Sequence, residues 1–176
     1  PFQKWLIRRA DLIVGTTPIY VKESPDLQAV QHKVTHLPIG VEEMPLDMEG
    51  AQRLREKYRG RKMVFSLGRL VPYKGYKYLI EAAQYLPDDY VVIIGGTGPL
   101  EGEHRALIEQ LHLEEKVKLI GFVHDEELPA YYTACELFVL PSVQKTEACG
   151  IVPIGAMSCG EPVVAARVPG SGTAWV

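Results

Sequence analysis

Apolar residues along this chain fall into short β-favouring runs separated by amphipathic stretches, and the alternation predicts strands and helices in turn. Residues 62–67 (KMVFSL) form a strand-like run that ends at Gly68, and residues 75–85 then carry Tyr78, Leu79, Ala82 and Ala83 at helical spacing, with Leu86 just beyond. Residues 90–94 (YVVII) are nearly all apolar, as strands covered on both faces are. They run through Gly95-Gly96-Thr97-Gly98-Pro99 into a helix with His104, Leu107, Ile108 and Leu111 on one side. Three further strands are predicted: 117–120 ending at Gly121, 136–140 ending at Pro141-Ser142, and 162–166. A helix is predicted over 126–134 with Asp125 as its cap, and another opening at Gly150 and running to Ser158. Strands alternating with helices predict a parallel sheet wound by right-handed crossovers, an α/β, Rossmann-like domain with helices on both faces.

The first 45 residues read differently. Phe2, Trp5 and Leu6 share one face of a short basic helix, residues 12–15 and 33–37 look like strands, and the Pro38-Ile39-Gly40-Val41 and Met44-Pro45 stretches punctuate the chain. A lobe boundary is placed near Pro45, giving segments 1–45 and 46–176. The cluster of Lys4, Trp5, Arg8 and Arg9 is either a solvated helix face or a peripheral membrane contact. No internal repeat or low-complexity tract is visible.

Composition narrows the classes. The 176 residues are 47% hydrophobic and 23% charged, which suits a packed globular domain and is too short for two full-sized ones. Nineteen basic against 22 acidic side chains give a net charge of −3, with no like-charged block long enough to track a phosphate backbone, so a nucleic-acid partner is not expected. No apolar stretch approaches the roughly 20 residues of a membrane-spanning helix. Cys135, Cys149 and Cys159 form an odd set without a C-x-x-C pair and read as reduced thiols, which fits a cytoplasmic setting. The five histidines, His32, His36, His104, His112 and His124, lack ligand spacing; surface or capping roles are expected for them, and no metal site.

In a doubly wound sheet, ligands bind beyond the carboxyl ends of the strands, so the turns at Gly68, Gly95, Gly121 and Pro141 define one candidate edge. Gly68-Arg69-Leu70 followed by Lys74-Gly75 puts two cations at one strand exit, where they can either meet the oxygens of a diphosphate or stand as surface charges. The Gly95-Gly96-Thr97-Gly98 turn permits close backbone approach to a ligand and is equally compatible with a tight turn alone. Thr146-Glu147-Ala148-Cys149-Gly150-Ile151-Val152 sets a carboxylate just ahead of a helix start whose free N–H groups would face an anion.

These pieces occur together and in one order: G-R-L-x-x-x-K-G at 68–75, I-G-G-x-G-P at 94–99, G-F-V at 121–123, P-S-x-x-x-x-E-x-x-G-I-V from Pro141, and A-M-x-C-G-x-P-V-V-A at 156–165. The set resembles the nucleotide-sugar-binding, C-terminal lobe of the family 4 retaining glycosyltransferases, which have the two-lobed GT-B fold. The likeness spans roughly residues 37–176, while Ala10-Asp11-Leu12-Ile13-Val14 looks more loosely like the end of the acceptor lobe. The resemblance implies that Arg69 and Lys74 hold the donor diphosphate and stabilise it as it leaves. It implies that Gly121, Phe122 and Val123 meet the base through backbone groups, and that Glu147 bonds the donor sugar with Cys149, Gly150 and Ile151 around it. Gly68, Gly96, Gly98, Ser142 and Gly155 fall at the remaining donor-binding positions. Implied too are a UDP-sugar or GDP-sugar donor, a glycan or lipid-linked acceptor held by the other lobe, retaining hexose transfer in cell-surface polysaccharide assembly, and no requirement for a metal.

One departure stands out. The family pattern has a second glutamate eight positions after the first, bonding the ribose hydroxyls, and here that position is Gly155. Two hydrogen bonds to a charged acceptor are worth about 3 kcal/mol, or about a hundredfold in affinity. Gly155 and Pro153 are also expected to weaken the helix between Gly150 and Ser158. The alternatives are therefore a transferase lobe, a degenerate non-catalytic or partner-binding subunit of the same fold, and an epimerase or phosphorylase of the same architecture. The chain is expected to be the tail of one lobe plus most of another, truncated at both ends, with an apolar surface near its end.

Overall fold

The computed structural model describes residues 2–147 and 150–174. The chain divides into two units, one formed by 1–41, 144–151 and 167–176 and the other by 42–143 and 152–166.

The larger unit is built on five parallel strands: β3 (Lys62–Leu67), β4 (Tyr90–Gly95), β5 (Val117–Gly121), β6 (Cys135–Leu140) and β7 (Val163–Ala165). Their spatial order, β5-β4-β3-β6-β7, reverses between β3 and β6, as in a doubly wound sheet. Central strands covered by helices on both faces must be apolar throughout, and Val91 to Ile94 of β4 are completely buried. Met63, Phe65, Val91, Ile93 and Phe138 enter one core with Tyr131 and Tyr132, while Val64, Val92 and Ile94 enter a second core with Tyr76, Leu79, Ile80 and Ile108. This is the predicted α/β, Rossmann-like architecture, with a core on each side of the sheet.

Helices α4 (Tyr76–Ala82), α5 (Glu101–Gln110), α6 (Leu128–Ala134) and α7 (Ile151–Ser158) follow the strands largely as the pattern predicts. The 75–85 helix is divided: Gly75 takes a left-handed φ of 70° after a 3₁₀ turn at Pro72–Lys74, α4 begins at Tyr76, and Ala83–Tyr85 ends it as a further 3₁₀ turn. Asp125 does not cap α6, which starts only at Leu128. Instead the Glu127 carboxylate accepts from the His124 backbone N–H at 3.0 Å, shaping the loop before the helix. Pro153 does not prevent α7, because in the first turn its missing N–H costs no intrahelical bond.

A further helix, α3 (Met48–Lys57), was not expected. Asp47 caps it by accepting from Gly50 N–H at 2.8 Å. Its buried Gly50 and Ala51 pack onto α6, where a Cβ at Gly50 would lie only 2.6 Å from that of Ala130.

The smaller unit contains α1 (Phe2–Arg9), α2 (Pro18–Glu23), a 3₁₀ segment at Pro25–Lys33, and the parallel pair β1 (Ile13–Gly15) and β2 (Val34–His36). Thr17 caps α2 through its side chain. No residue of α1 is buried; Phe2 stacks on Trp5 at 5.9 Å and Arg9 lies over the Trp5 ring. Among the described residues no helix is long and apolar enough to cross a membrane.

Candidate functional site

The exits of β3, β4 and β5 interlock through glycine backbone. Gly68 N–H donates to the Gly95 carbonyl at 3.0 Å, Leu70 N–H to Thr97 at 2.9 Å, and Leu100 N–H back to Leu70 at 3.1 Å. Gly96, at φ 123°, sits so close that a Cβ there would run into the Gly68 carbonyl, and one at Gly98 would run into the Leu70 backbone. Gly96 N–H bonds the Gly121 carbonyl at 2.6 Å, extending the join to the β5 exit. Three strand ends thus form one platform whose backbone lies open to whatever occupies the space above it.

That space is a pocket of about 330 Å³ lined by Leu67, Gly68, Arg69, Gly96, Thr97, Phe122, Val123, Asp125 and Leu128. Five predicted residues, Gly68, Arg69, Gly96, Phe122 and Val123, are brought together here. Gly121 is the preceding turn, at φ 75°. Phe122 is 66% exposed with its ring edge-on to His124 at 5.0 Å, whereas Val123 is buried against the platform. Thr97, Asp125 and Leu128 also line the pocket and were not singled out as site residues. Their place just beyond strand exits was the available signal, but Asp125 was absorbed by a capping role it does not play.

Lys74 ends the 3₁₀ turn that follows the β3 exit and is only 7% exposed, a rare burial for a lysine. Gly75 beside it fits because nothing larger would clear the Pro141 carbonyl. Val143 N–H donates to the Tyr73 carbonyl at 2.8 Å, so this turn is fastened to the β6 exit at the reversal of strand order. Ser142 is buried there.

Gly155 is not at the pocket rim. It lies in α7 against the ring of Tyr132 in α6. Of the candidate residues at 146–152, Ala148 and Cys149 lie outside the described residues. Glu147, Gly150 and Ile151 belong to the smaller unit. There Ser171 Oγ donates to the Glu147 carbonyl at 2.5 Å, Gly150 is buried at φ 63°, and Ile151 is exposed. A pocket of about 280 Å³ beside this segment is lined by Tyr20, Glu23, Ser24, Pro25, Asp26, Lys145, Thr146 and Gly170.

Among the described residues, no group of three or more His, Cys, Asp or Glu side chains is placed to hold a metal ion. His104 departs from the surface role expected of the histidines: it is 4% exposed in α5, its Nδ1 has no hydrogen-bond partner, and burial pushes its pKa below the usual value. Cys135 and Cys159 are free thiols.

Comparison with known proteins agrees with this architecture. The family described as glycosyl transferases group 1 matches residues 49–174. Over 180 residues the chain is 32% identical to O-antigen chain mannosyltransferase C of Escherichia coli, covering all of this chain and 47% of that protein. It is 32% identical over 175 residues to mannosylfructose-phosphate synthase of Agrobacterium fabrum, covering 90% of this chain and 38% of that protein. Among solved structures, Anabaena HepE in complex with UDP and glucose superimposes with a TM-score of 0.80 at 26% identity, over 94% of this chain and 47% of that one. The chain therefore spans less than half the length of each of these relatives.

Proposed function

Because the chain belongs to the group 1 glycosyl transferases, we propose that it is the donor-binding part of a retaining hexosyltransferase of the family 4 type, with residues 46–176 as the donor lobe and 1–45 as the end of an acceptor lobe. The observation that carries this reading is the pocket at the joined exits of β3, β4 and β5, flanked by exposed Arg69 and by Lys74 on the turn beside it. Arg69 and Lys74 meet the diphosphate of a UDP- or GDP-sugar. Backbone groups of Gly121, Phe122 and Val123 meet the base above the glycine platform, and Glu147 bonds the sugar with Gly150 and Ile151 beside it.

The chemistry follows from charge. As the glycosidic bond to the donor breaks, negative charge accumulates on the departing nucleoside diphosphate, and fixed cations and N–H dipoles that already point at it lower the barrier without reorganising. Exposed Arg69 offers a planar fork of donors to two phosphate oxygens, and Lys74 a compact charge with little conformational freedom left to lose. The acceptor, a glycan or lipid-linked sugar in cell-surface polysaccharide assembly, is held by the rest of the protein, so binding without efficient transfer is expected of this chain. The free thiols of Cys135 and Cys159 and a nucleotide-activated donor support a cytoplasmic setting for the reaction. The mannosyl transfer named for the Escherichia coli relative supports a hexose as the group moved.

A second reading, a lobe of the same fold that serves as a non-catalytic subunit, is favoured by one observation: the place of the second carboxylate is Gly155, and Tyr132 fills the space beside it. A calorimetric and thermal-shift panel of UDP, GDP, ADP and their sugars separates the two. The transferase reading expects one nucleotide family to raise the melting temperature; ligand at ten times its Kd adds about 1.4 kcal/mol, or roughly 3–6 °C. No stabilisation by any nucleotide at millimolar concentration overturns it.

A further inference from the structure

The loop that follows β5 is pinned on both sides of Phe122. The Gly121 carbonyl takes the Gly96 N–H at 2.6 Å, and Val123 is buried so close to the β4 exit that a Cβ on Gly95 would meet its methyl at 2.8 Å. With Val123 turned inward, its neighbour Phe122 is turned outward, into the wall of the cavity of about 330 Å³ above the glycine platform. Asp125, in the same wall, is held by a tight turn. Glu127 N–H donates to the His124 carbonyl at 2.9 Å while the Glu127 carboxylate accepts from His124 N–H, and Asp125 is the second residue of that turn. Since α6 starts only at Leu128, its carboxylate is not spent as a helix cap. Among the described residues it forms no hydrogen bond and no ion pair, not even with Arg69, the cation of the same cavity.

One cavity thus offers a cation, a carboxylate and an exposed aromatic ring. Arg69 follows β3 and Asp125 follows β5, with β4 between them, so the two strand exits lie about 10 Å apart, a span that a ribose bridges. A nucleotide carries its negative charge at one end and a base at the other, and few bases suit a carboxylate, which can only accept hydrogen bonds. Guanine sets its N1–H and 2-amino group side by side, two donors that match the two carboxylate oxygens. Uracil has a single N3–H between two carbonyl oxygens, and adenine has its amino group beside a bare ring nitrogen, so either base brings lone pairs against Asp125. A purine also covers more of an aromatic face than uracil does.

We propose that this cavity selects guanine: the Phe122 ring covers one face of the base, Asp125 accepts from N1–H and the 2-amino group, and the donor is therefore a GDP-sugar rather than a UDP-sugar. This rests on the reading of the cavity as the place of the donor's base. The backbone of the loop accommodates any base; the two side chains make the choice.

The test is calorimetric titration of the 176-residue chain, Asp125→Ala and Phe122→Ala with GDP, UDP, ADP and inosine diphosphate, whose base keeps N1–H and lacks the 2-amino group. The wild type is expected to bind GDP about tenfold or more tightly than UDP or ADP, and about tenfold more tightly than inosine diphosphate. Asp125→Ala should weaken GDP by about tenfold and bring GDP and inosine diphosphate to within about twofold of each other, because the 2-amino group has lost its acceptor. Phe122→Ala should weaken GDP by at least about fivefold and leave the ratio of GDP to inosine diphosphate as in the wild type. UDP or ADP bound as tightly as GDP by the wild type overturns the proposal, as does a ratio of GDP to inosine diphosphate that survives Asp125→Ala, or a GDP affinity untouched by Phe122→Ala. A preference for UDP that Phe122→Ala still weakens overturns the selection of guanine and leaves the cavity a base site. Absence of binding by every diphosphate at millimolar concentration overturns the base site along with it. The wild-type ranking needs no substitution, so it decides the question even where a variant fails to fold.

Discussion

Gly155 of α7 lies so close to Tyr132 of α6 that a Cβ on the glycine would come within 2.8 Å of the ring Cε2 and 2.9 Å of Cζ. The ring cannot easily yield: it is buried, packs against Phe65 and Phe138, and its hydroxyl donates to the Val152 carbonyl at 3.1 Å. Overpacking of a filled core costs about 1–3 kcal/mol, while replacing a helical glycine by alanine returns about 1 kcal/mol. Gly155→Ala is therefore expected to lose about 1 kcal/mol, lowering the melting temperature by roughly 2–4 °C. Gly155→Glu, which writes in the carboxylate of the family pattern, is expected to be less stable still and to bring no gain in nucleotide affinity. A tenfold gain by calorimetry would refute the steric argument.

Arg69 and Lys74 differ in exposure, and that difference predicts different salt responses. A charge-assisted hydrogen bond to phosphate contributes about 1.5–3 kcal/mol, so either alanine variant should weaken UDP or GDP binding by about tenfold or more. Arg69 is exposed and its contribution is screened, since the Debye length shrinks from about 10 Å at 0.1 M to about 3 Å at 1 M salt. Lys74 is buried and is screened much less. Titrations at low and high salt should show the Arg69→Ala penalty shrinking and the Lys74→Ala penalty persisting; equal shrinkage in both would contradict the burial argument.

What could be read from the chain before its structure follows from where the physical signal is local. The strands were plain because a central parallel strand must be apolar along its length, and Tyr90 to Ile94 leaves no other interpretation. α3 escaped notice because Met48, Ala51 and Leu54 are its only apolar side chains among charged and polar residues, and the close approach of Gly50 to Ala130 is decided 80 positions further on. The pocket-lining glycines were legible as turns, but their mutual contact was not, since nothing in the sequence tells Gly96 that it will face Gly68. Asp125 failed for the opposite reason. Its cap-like setting was a sound local signal, overruled when Glu127 took the loop N–H and α6 began later.

The buried His104 should make stability depend on pH near neutrality. Burial lowers its folded pKa below the usual 6.5, so between the two values the unfolded chain binds more protons than the folded one. The stabilising contribution is present above pH 6.5 and is lost as pH falls toward the depressed folded value. One proton of difference sets a limiting slope of about 1.4 kcal/mol per pH unit. Urea unfolding of the wild type between pH 7.5 and 5 should show declining stability that His104→Leu flattens. An equal decline in the variant would assign the pH dependence to other groups.

Cys135 should resist thiol reagents in the native state. Burial pushes its thiol up to about 12, and its Sγ–H is directed at the Tyr132 carbonyl, so almost no thiolate exists near pH 8. Cys159 is raised as well, chiefly by burial, but is partly exposed. Alkylation followed by peptide mass spectrometry should show Cys159 labelled ahead of Cys135, with Cys135 reacting only when denaturant is added. Equal native rates at the two sites would mean that the α6–β6 junction opens far more readily than its packing implies.

A pair of alanine substitutions separates the backbone demands of the glycine platform from ordinary helix propensity. Gly102 lies exposed in α5 with nothing within 4 Å of where a Cβ would stand, so Gly102→Ala should stabilise by up to about 1 kcal/mol. Gly96 is the reverse case. Its φ of 123° is strained for any residue with a side chain, and its added methyl would meet the Gly68 carbonyl, which cannot retreat while Gly68 N–H is bonded to Gly95. Backbone strain of this kind costs about 1–3 kcal/mol before the collision is counted. The collision must be relieved by parting the β3 and β4 exits, which moves Gly68 and Arg69 together and opens the floor of the pocket. Gly96→Ala should therefore lose at least about 2 kcal/mol in denaturant unfolding and, in the fraction that stays folded, bind both nucleoside and nucleoside diphosphate more weakly. A variant that is destabilised yet binds both normally would show that the interlock of Gly68 with Gly96 serves the fold alone.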